Sequence, residues 1–248
     1  MQEKLRHILI VGGADVGKST FAGAFCKALG DVVYGECGEE CMRSLAWALA
    51  TRRTQEDEET VRSLAWSLAT QSATGFIPDA NVGANSVRSF VDWRRRHKEE
   101  PAVREVLRLH AAALELLRPQ VSADENVSGL IDWLAAHKKE QSVRDALWLH
   151  GEAVTLMIGE AFVRPLAEVF RVIVGLRRER EYRAYLQKFP GQLEQVILLE
   201  RPGKPAGDRF DLEFFRGVAR IRIDVKDDGP ALSALAASVA RDFKEVAK

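Results

Sequence analysis

The sequence has no excess of either charge, because 36 lysines and arginines balance 36 aspartates and glutamates. Binding to nucleic acid or to a membrane through bulk charge is therefore not expected, although a local basic patch is compatible with this balance. No apolar run approaches the length of a membrane span, and the segment before residue 8 lacks the apolar core of a signal peptide. We expect a cytoplasmic protein.

Cysteine is also scarce, with three residues at positions 26, 37 and 41. Cys37 and Cys41 lie in the segment E-C-G-E-E-C, where a disulfide or half of a metal site is an alternative to free thiols. A lone C-x-x-x-C pair has no second pair of ligands to close a tetrahedral metal site. We therefore expect three free thiols.

What remains is the composition of an ordinary globular protein. Of the 248 residues, 46% are hydrophobic and 29% are charged, so the chain can bury a core in one large domain or two small ones.

The most informative stretch is residues 8–20, I-L-I-V-G-G-A-D-V-G-K-S-T. It combines a short apolar strand, a glycine-bearing loop and the start of a helix, and its fixed positions match G-x-x-x-x-G-K-[ST], the phosphate loop. Glycine lets the backbone turn tightly and approach a phosphate, and the N–H groups at the helix N-terminus favour an anion. The predicted nucleotide-binding residues are Gly12, Gly13, Ala14, Asp15, Val16, Gly17, Lys18, Ser19 and Thr20.

Two side chains in this stretch have predicted roles in chemistry. Lys18 is expected to reach the β- and γ-phosphates, and the Ser19 hydroxyl is expected to hold Mg²⁺. The sequence thus predicts binding of a nucleoside triphosphate, with ATP and Mg²⁺ as the expected pair.

Apolar segments at the two ends of the chain predict a single α/β core. Strands are expected near 8–11 and 31–36, with a helix from Gly17 to Leu29 between them. Further strands are expected at 170–175, 195–200 and 219–224, followed by a helix over 230–246. We therefore predict an α/β fold of the P-loop NTPase type, a three-layer parallel sheet with a large, internally repeated helical insertion. The predicted core comprises 1–40 and 141–248, and the predicted insertion is 41–140.

The insertion contains two internal repeats. Residues 43–51 recur at 62–70, and residues 87–93 and 103–110 recur at 127–133 and 143–150 with a constant offset of 40 positions. A period near 40 residues is the length of a helix pair, and two copies are too few for a free solenoid. We therefore expect a duplicated helical hairpin packed on the α/β core.

The repeats also carry histidines and tryptophans. His97 and His137 correspond, as do His110 and His150, and duplication accounts for them without a metal site. The tryptophans are expected to pack in the core and the hairpins, with base stacking as the alternative. They are Trp47, Trp66, Trp93, Trp133 and Trp148.

Two classes of phosphate-loop protein fit the sequence poorly. It has no N/T-K-x-D motif to bind guanine, and Asp227-Asp-Gly-Pro is badly placed for the D-x-x-G switch of a GTPase. A motor-type ATPase needs an apolar strand that ends in a catalytic acid, and the best candidate, residues 196–200, comes late in the chain.

The phosphate loop together with residues 141–248 resembles the deoxynucleoside monophosphate kinase family of phages and bacteria. Residues 172–182 correspond to a strand that runs into D-V-R-F-P-N-E, and residues 196–202 to a strand with an E/D-R-P-like turn. Asp227-Asp-Gly229 stands before the closing helix, and residues 144–151 look like the R-x-x-L-Q-x-x-G helix. Gly175 stands where the family has aspartate, while Arg177 and Glu181 match.

The resemblance implies an ATP-dependent phosphotransferase whose acceptor is a nucleoside or deoxynucleoside monophosphate, or another small molecule. In that interpretation Arg177 contacts the acceptor or the transferring phosphate, and Arg201, Lys204 and Arg209 form a basic lid. The predicted catalytic residues are Lys18, Arg177, Arg201 and Arg209. The acceptor cannot be carried over from the family, because residues 36–41 and the repeats replace the segment that should hold it.

Two other interpretations remain open. In the first, the triphosphate switches a scaffold whose tryptophan-rich repeats bind a partner protein or a second copy of the chain. In the second, a degenerate kinase relative binds nucleotide without chemistry. A kinase is expected to bury the repeat tryptophans around a cleft, whereas a scaffold is expected to present an apolar patch to solvent.

Overall fold

A computed structural model describes residues 6–30, 33–51, 64, 100–122, 125–159, 162–204, 207, 209–226 and 229–246. The repeat copies at 62–70 and 87–93, together with His97, Trp66 and Trp93, lie outside the described residues apart from Leu64, which is helical and buried.

The helices and strands follow one another in α/β fashion at both ends of the chain. In chain order they are β1 His7–Gly12, α1 Lys18–Gly30, β2 Tyr34–Glu36, α2 Cys37–Thr51, α3 Pro101–Leu117, α4 Val127–His137, α5 Gln141–Met157, α6 Arg164–Ala167, β3 Val172–Val174, α7 Glu179–Lys188, β4 Leu193–Glu200, α8 Leu212–Val218, β5 Ile221–Asp224 and α9 Pro230–Val246.

The strands form a five-stranded sheet in the order β2-β3-β1-β4-β5, and every pairing in it is parallel. The predicted α/β class with a parallel sheet is therefore confirmed, and β5 lies at the predicted edge. Because β1 is the central strand, all six of its residues are buried, as a parallel strand covered on both faces requires.

Alternate residues of the strands face opposite sides of the sheet. Ile8 and Ile10 pack into a core with α1 and α9, which lie together on one face. His7, at the start of β1, contacts α7 and α6. Its Nδ1 lies 2.7 Å from the Tyr185 hydroxyl of α7, and its Nε2 lies 2.8 Å from the Ala167 carbonyl oxygen of α6. Burial lowers the pKa of His7, so its neutral ring is the form that these two bonds hold.

A second compact unit, Gly38–Pro165, is helical wherever the structure describes regular secondary structure in it. Its core joins residues of α2, α3, α4 and α5, among them Leu45, Leu114 and Leu134. Helices α3 and α5 pack against each other, and their bounds differ by the 40 positions of the sequence repeat. The fold therefore gives the two corresponding segments the same helix length and equivalent buried positions, such as Val103 and Val143.

The division of the chain differs from the predicted one at residues 141–165. The α/β unit comprises Met1–Cys37 and Leu166–Lys248, so α5 belongs to the helical unit and not to the α/β core. The physical reason is the apolar face of α5, whose residues Val143 and Ala146 are buried in the same core as Leu114 of α3. The part of the family resemblance carried by residues 144–151 therefore lies on a helix of the helical unit.

Candidate functional site

The carboxyl ends of the parallel strands bring the predicted nucleotide-binding segment together with charged residues from other strands. Strand β1 ends at Gly12, β2 ends at Glu36, and β3 leads through Gly175 to Arg177. Since parallel strands end at the same edge of a sheet, these segments converge although they are far apart in sequence.

Gly12 ends β1 where no larger residue fits. A Cβ atom at this position would lie 2.5 Å from the Leu199 carbonyl oxygen of β4 and 2.9 Å from Cγ2 of Val16. The first of these atoms belongs to the backbone of a paired strand and cannot rotate away. Glycine is therefore required here by close packing, in addition to any approach to phosphate.

The loop after β1 turns tightly into α1. Asp15 has a positive φ of 54° and Gly17 has a φ of 84°, while the Phe21 N–H donates to the Gly17 carbonyl at 2.9 Å. The Asp15 side chain is exposed, whereas Val16 is buried under the loop. The helix therefore begins directly at the lysine and serine of the motif, with its N-terminal N–H groups at the sheet edge.

Lys18 is the charged centre of this edge. Its ammonium Nζ donates to the Gly13 carbonyl oxygen at 2.5 Å, so the side chain folds back over the loop. Burial and the positive charges of Arg177 and Lys204 together lower the pKa of Lys18 to about 8, burial having the largest effect, while Glu36 and Asp15 oppose the shift. The pKa of Lys18 thus depends on a charge in its own loop, Asp15, and on charges from three other segments, those of Glu36, Arg177 and Lys204.

Ser19 and Glu36 form an oxygen-rich pair beside Lys18. The Ser19 hydroxyl donates to Oε1 of Glu36 at 3.1 Å, and the pair is exposed to solvent. A hydroxyl and a carboxylate are the ligand types that Mg²⁺ prefers, so the residues present fit that ion. The sequence prediction named Ser19 and missed Glu36. The available signal was an acidic residue at the end of a strand that runs parallel to β1.

Among the described residues no group of three histidines, cysteines or acids is arranged to hold a metal ion. Mg²⁺ at Ser19 and Glu36 would therefore complete its shell with water and phosphate oxygens, which is the usual arrangement for this ion.

The segment after β3 carries Arg177 toward the same edge. Gly175 has a φ of 102°, and its N–H donates to the Ile10 carbonyl of β1 at 3.1 Å. The kinase family that the sequence resembles has aspartate at this position, but a residue with an L side chain rarely adopts this backbone conformation. The backbone here therefore differs from what an aspartate would favour, and the carboxylate nearest the serine of the motif comes from Glu36 of β2 instead.

Arg177 itself is exposed, and its backbone is fixed on both sides. Glu181 accepts the N–H of Arg177 at 2.7 Å and the N–H of Arg178 at 3.1 Å. Asp211 donates its own N–H to the Arg177 carbonyl at 2.9 Å. Burial raises the pKa of Glu181, and the two N–H groups oppose that effect by stabilising its ionised form.

The predicted basic lid is the turn-rich segment after β4. Gly203 and Gly207 both have positive φ, of 77° and 78°. Lys204 reaches the loop after β1, with its Nζ 3.9 Å from Oδ2 of Asp15. Arg201 and Arg209 are half-buried at the two ends of this segment.

The candidate acid for a motor-type ATPase is paired within the α/β unit. Glu200, at the end of β4, accepts from the Arg216 guanidinium of α8, with 2.9 Å to Nε and 2.5 Å to Nη2. The same arginine also contacts Glu213. Glu200 therefore holds α8 against the end of β4.

The remaining candidates are structural where they are described. All three cysteines are buried thiols that take part in no disulfide, as expected, and burial raises the pKa of Cys26 to about 11. His110 and His150 lie in contact with each other inside the helical unit. The tryptophans at positions 47, 133 and 148 are half-buried, and the ring of Trp133 stacks on His137.

No protein-family model matches this chain, and a comparison with curated proteins finds no significant match. No helix within the described part of the chain has the length and apolar character needed to cross a membrane. The geometry of the sheet edge is therefore the basis for assigning a function.

Proposed function

We infer that the protein is a nucleoside-triphosphate-dependent phosphotransferase, a (deoxy)nucleoside monophosphate kinase or small-molecule kinase that uses Mg·ATP. The observation that carries this proposal is the convergence of three cationic residues and two oxygen ligands around residues 12–20. Phosphoryl transfer needs positioning and neutralisation of charge more than it needs covalent help from the protein, and this set supplies both.

Each residue of the set has a distinct part in that chemistry. Lys18 neutralises the β- and γ-phosphates, and a triphosphate near its Nζ keeps the lysine protonated although its pKa in the free protein is about 8. Ser19 and Glu36 would hold Mg²⁺. The ion, when bound, would neutralise negative charge on the triphosphate.

The other cations of the edge are assigned to the transferring group. Arg177 extends from β3 into solvent at the same edge, where it can contact the acceptor or the γ-phosphoryl oxygens. Lys204, with Arg201 and Arg209 on the same turn-rich segment, closes over the transferred group. No segment is assigned to binding the acceptor. The test therefore uses a panel of candidate acceptors.

The test is acceptor-dependent release of ADP by the purified protein. Mg·ATP is supplied with each of a panel of nucleoside and deoxynucleoside monophosphates. Lys18→Ala is expected to abolish turnover, with a loss of at least about 100-fold, because it removes a charge that the transition state needs. Glu36→Gln is expected to lower turnover and to raise the Mg²⁺ concentration needed for half-maximal activity.

Lys27→Ala is the matched control, because Lys27 lies exposed in the last turn of the same helix α1. It is expected to retain wild-type turnover. Tight Mg·ATP binding with no turnover on any acceptor would contradict the kinase proposal for those acceptors.

The second candidate function is a nucleotide-controlled interaction protein. The observation that favours it is an exposed leucine at equivalent positions of the two packed helices, Leu116 of α3 and Leu156 of α5. A protein partner or a second copy of the chain would bind through this helical unit. Nucleotide binding without acceptor-dependent turnover is the result that this candidate predicts.

A further inference from the structure

The backbone that carries Arg177 is held by a residue that follows the basic segment in sequence. Asp211 lies 34 positions after Arg177, next to the N-terminus of α8, yet its own N–H donates to the Arg177 carbonyl at 2.9 Å. Its carboxylate makes two further contacts to the residues that follow Arg177. Oδ1 accepts from Nη1 of Arg178 at 3.0 Å, and Oδ2 accepts the N–H of Glu179 at 2.8 Å.

Both carboxylate oxygens of Asp211 are therefore used on the same three-residue segment, residues 177–179. One contact is to a guanidinium, whose side chain is 18% exposed against 34% for that of Asp211, so the pair is partly shielded from solvent. Hydrogen bonds between charged groups are stronger than neutral ones, and partial burial strengthens them further.

Asp211 is itself held firmly. The preceding residue, Phe210, is buried, and its ring stacks on Phe215 of α8 with the ring centroids 5.1 Å apart. Tyr182 of α7 contacts Phe214 and Phe215 edge-on. The carboxylate thus projects from a rigid aromatic support that joins α7 and α8.

We propose that Asp211 is a positioning residue, which fixes the backbone of residues 177–179 so that the Arg177 guanidinium meets the transferring phosphoryl group or the acceptor. This proposal rests on the proposed kinase function. Misplacing a catalytic group by about 1 Å costs about 100-fold in rate, so a residue that touches no substrate can still control turnover.

Asp211 also ends the segment that carries Arg201, Lys204 and Arg209. One residue therefore terminates the basic segment and holds the backbone of Arg177.

The test uses Asp211→Ala and Asp211→Asn in the full chain. Both variants keep the backbone N–H that donates to Arg177, so the change is confined to the side-chain contacts. Asp211→Ala is expected to lower kcat by about 10- to 100-fold while the KM for ATP stays within about 2-fold, because the contacts around residues 12–20 are unchanged. Asp211→Asn keeps one acceptor oxygen, so its kcat is expected to lie between that of Asp211→Ala and that of the wild type.

A double-mutant cycle with Arg177→Ala distinguishes positioning from a general loss of structure. If Asp211 acts through Arg177, Asp211→Ala will have less than about a 2-fold effect on kcat in the Arg177→Ala background. Glu213→Ala is the matched control, because Glu213 is an acid two positions after Asp211, in α8, with 83% of its side chain exposed.

Three results would overturn the proposal. The first is a decrease in kcat caused by Asp211→Ala that is as large in the Arg177→Ala background as in the wild type. The second is an effect of Asp211→Ala or Asp211→Asn no larger than that of Glu213→Ala. The third is a wild-type protein with no turnover on any acceptor, which overturns the kinase proposal as well and is recognised before any variant is made.

Discussion

At the scale of single residues, the close approach of β4 to Gly12 decides what this position tolerates. A side chain here would meet the Leu199 carbonyl oxygen, which is part of the sheet backbone, at 2.5 Å. The glycine of the motif thus serves the packing of the sheet as well as the loop that follows it. Sequence alone indicates only the second of these reasons.

We predict that Gly12→Ala lowers the free energy of unfolding by about 3 kcal/mol, the upper end of the range for overpacking, because the clash is with backbone. Gly217→Ala is the matched control. Gly217 lies in α8 with open space around it, so alanine there is expected to stabilise the protein by about 0.5–1 kcal/mol. Urea unfolding of both variants measures the difference, and equal stabilities would contradict the packing argument.

Lys18 and Glu36 show a second kind of residue-scale effect, in which neighbours distant in sequence set the chemistry. Glu36 is 18 positions after Lys18, and Arg177 is far beyond it, yet both change the pKa of the lysine. The motif identified the lysine, but the charges that tune it come from other strands.

At the scale of elements, the helix pair α3 and α5 contains a buried polar contact at corresponding positions of the repeat. Nδ1 of His110 lies 3.1 Å from Nδ1 of His150, and Nε2 of His150 lies 2.9 Å from the Ser44 hydroxyl of α2. One of the two Nδ1 atoms donates and the other accepts, so the accepting ring must be neutral. Burial lowers the pKa of His150 to about 3.

This contact predicts a loss of stability in acid. The folded state disfavours protonation of His150, whereas the unfolded chain takes up the proton near pH 6.5, so stability falls as the pH drops from 6.5 toward 3. At pH 5, protonation of His150 in the unfolded chain has lowered the free energy of unfolding by about 2 kcal/mol. Urea unfolding at several pH values between 7.5 and 5 measures how the free energy of unfolding changes with pH, for the wild type and for His150→Asn.

His150→Asn is expected to be less stable than the wild type at pH 7.5 but to lose less stability on acidification. An identical pH dependence for the two proteins would show that another group is responsible. His7, which is also buried in its neutral form within the α/β unit, remains present in both proteins and does not affect the comparison.

Elements also show where local patterns fail. The helix at 230–246 and the central strand match their predicted positions closely, because a long amphipathic face and a continuous β-branched run are strong local signals. The strand predicted over 31–36 is described only at 34–36, and β3 is three residues long. Short strands depend on their neighbours in the sheet for hydrogen bonds, and those neighbours cannot be read from local sequence.

At the scale of the whole molecule, the chain divides into an α/β unit built from both ends and a helical unit from the middle. The predicted nucleotide site lies entirely on the α/β unit. A kinase and a nucleotide-controlled scaffold therefore differ in what nucleotide does to the helical unit.

We predict that Mg·ATP slows amide hydrogen exchange in the segments at the sheet edge and leaves α3, α4 and α5 unchanged. The expected segments are 12–20, 34–36, 175–179 and 201–211, because they carry the groups assigned to the nucleotide and its phosphates. Exchange measured by mass spectrometry with and without Mg·ATP tests this, with Lys18→Ala as the control that should show no change. Altered exchange in α3 and α5 would instead favour the nucleotide-controlled scaffold.

The sequence by itself determined the α/β class, the strand-loop-helix around Lys18 and the helical nature of the described residues between 101 and 157. Each of these depends on composition or on the spacing of residues within about 20 positions, where local periodicity is informative. The tertiary structure alone decided that Glu36 meets Ser19, that Asp211 holds the backbone of Arg177, and that α5 joins the helical unit. These contacts depend on the strand order β2-β3-β1-β4-β5 and on which helix faces pack together, and no local pattern encodes either of them.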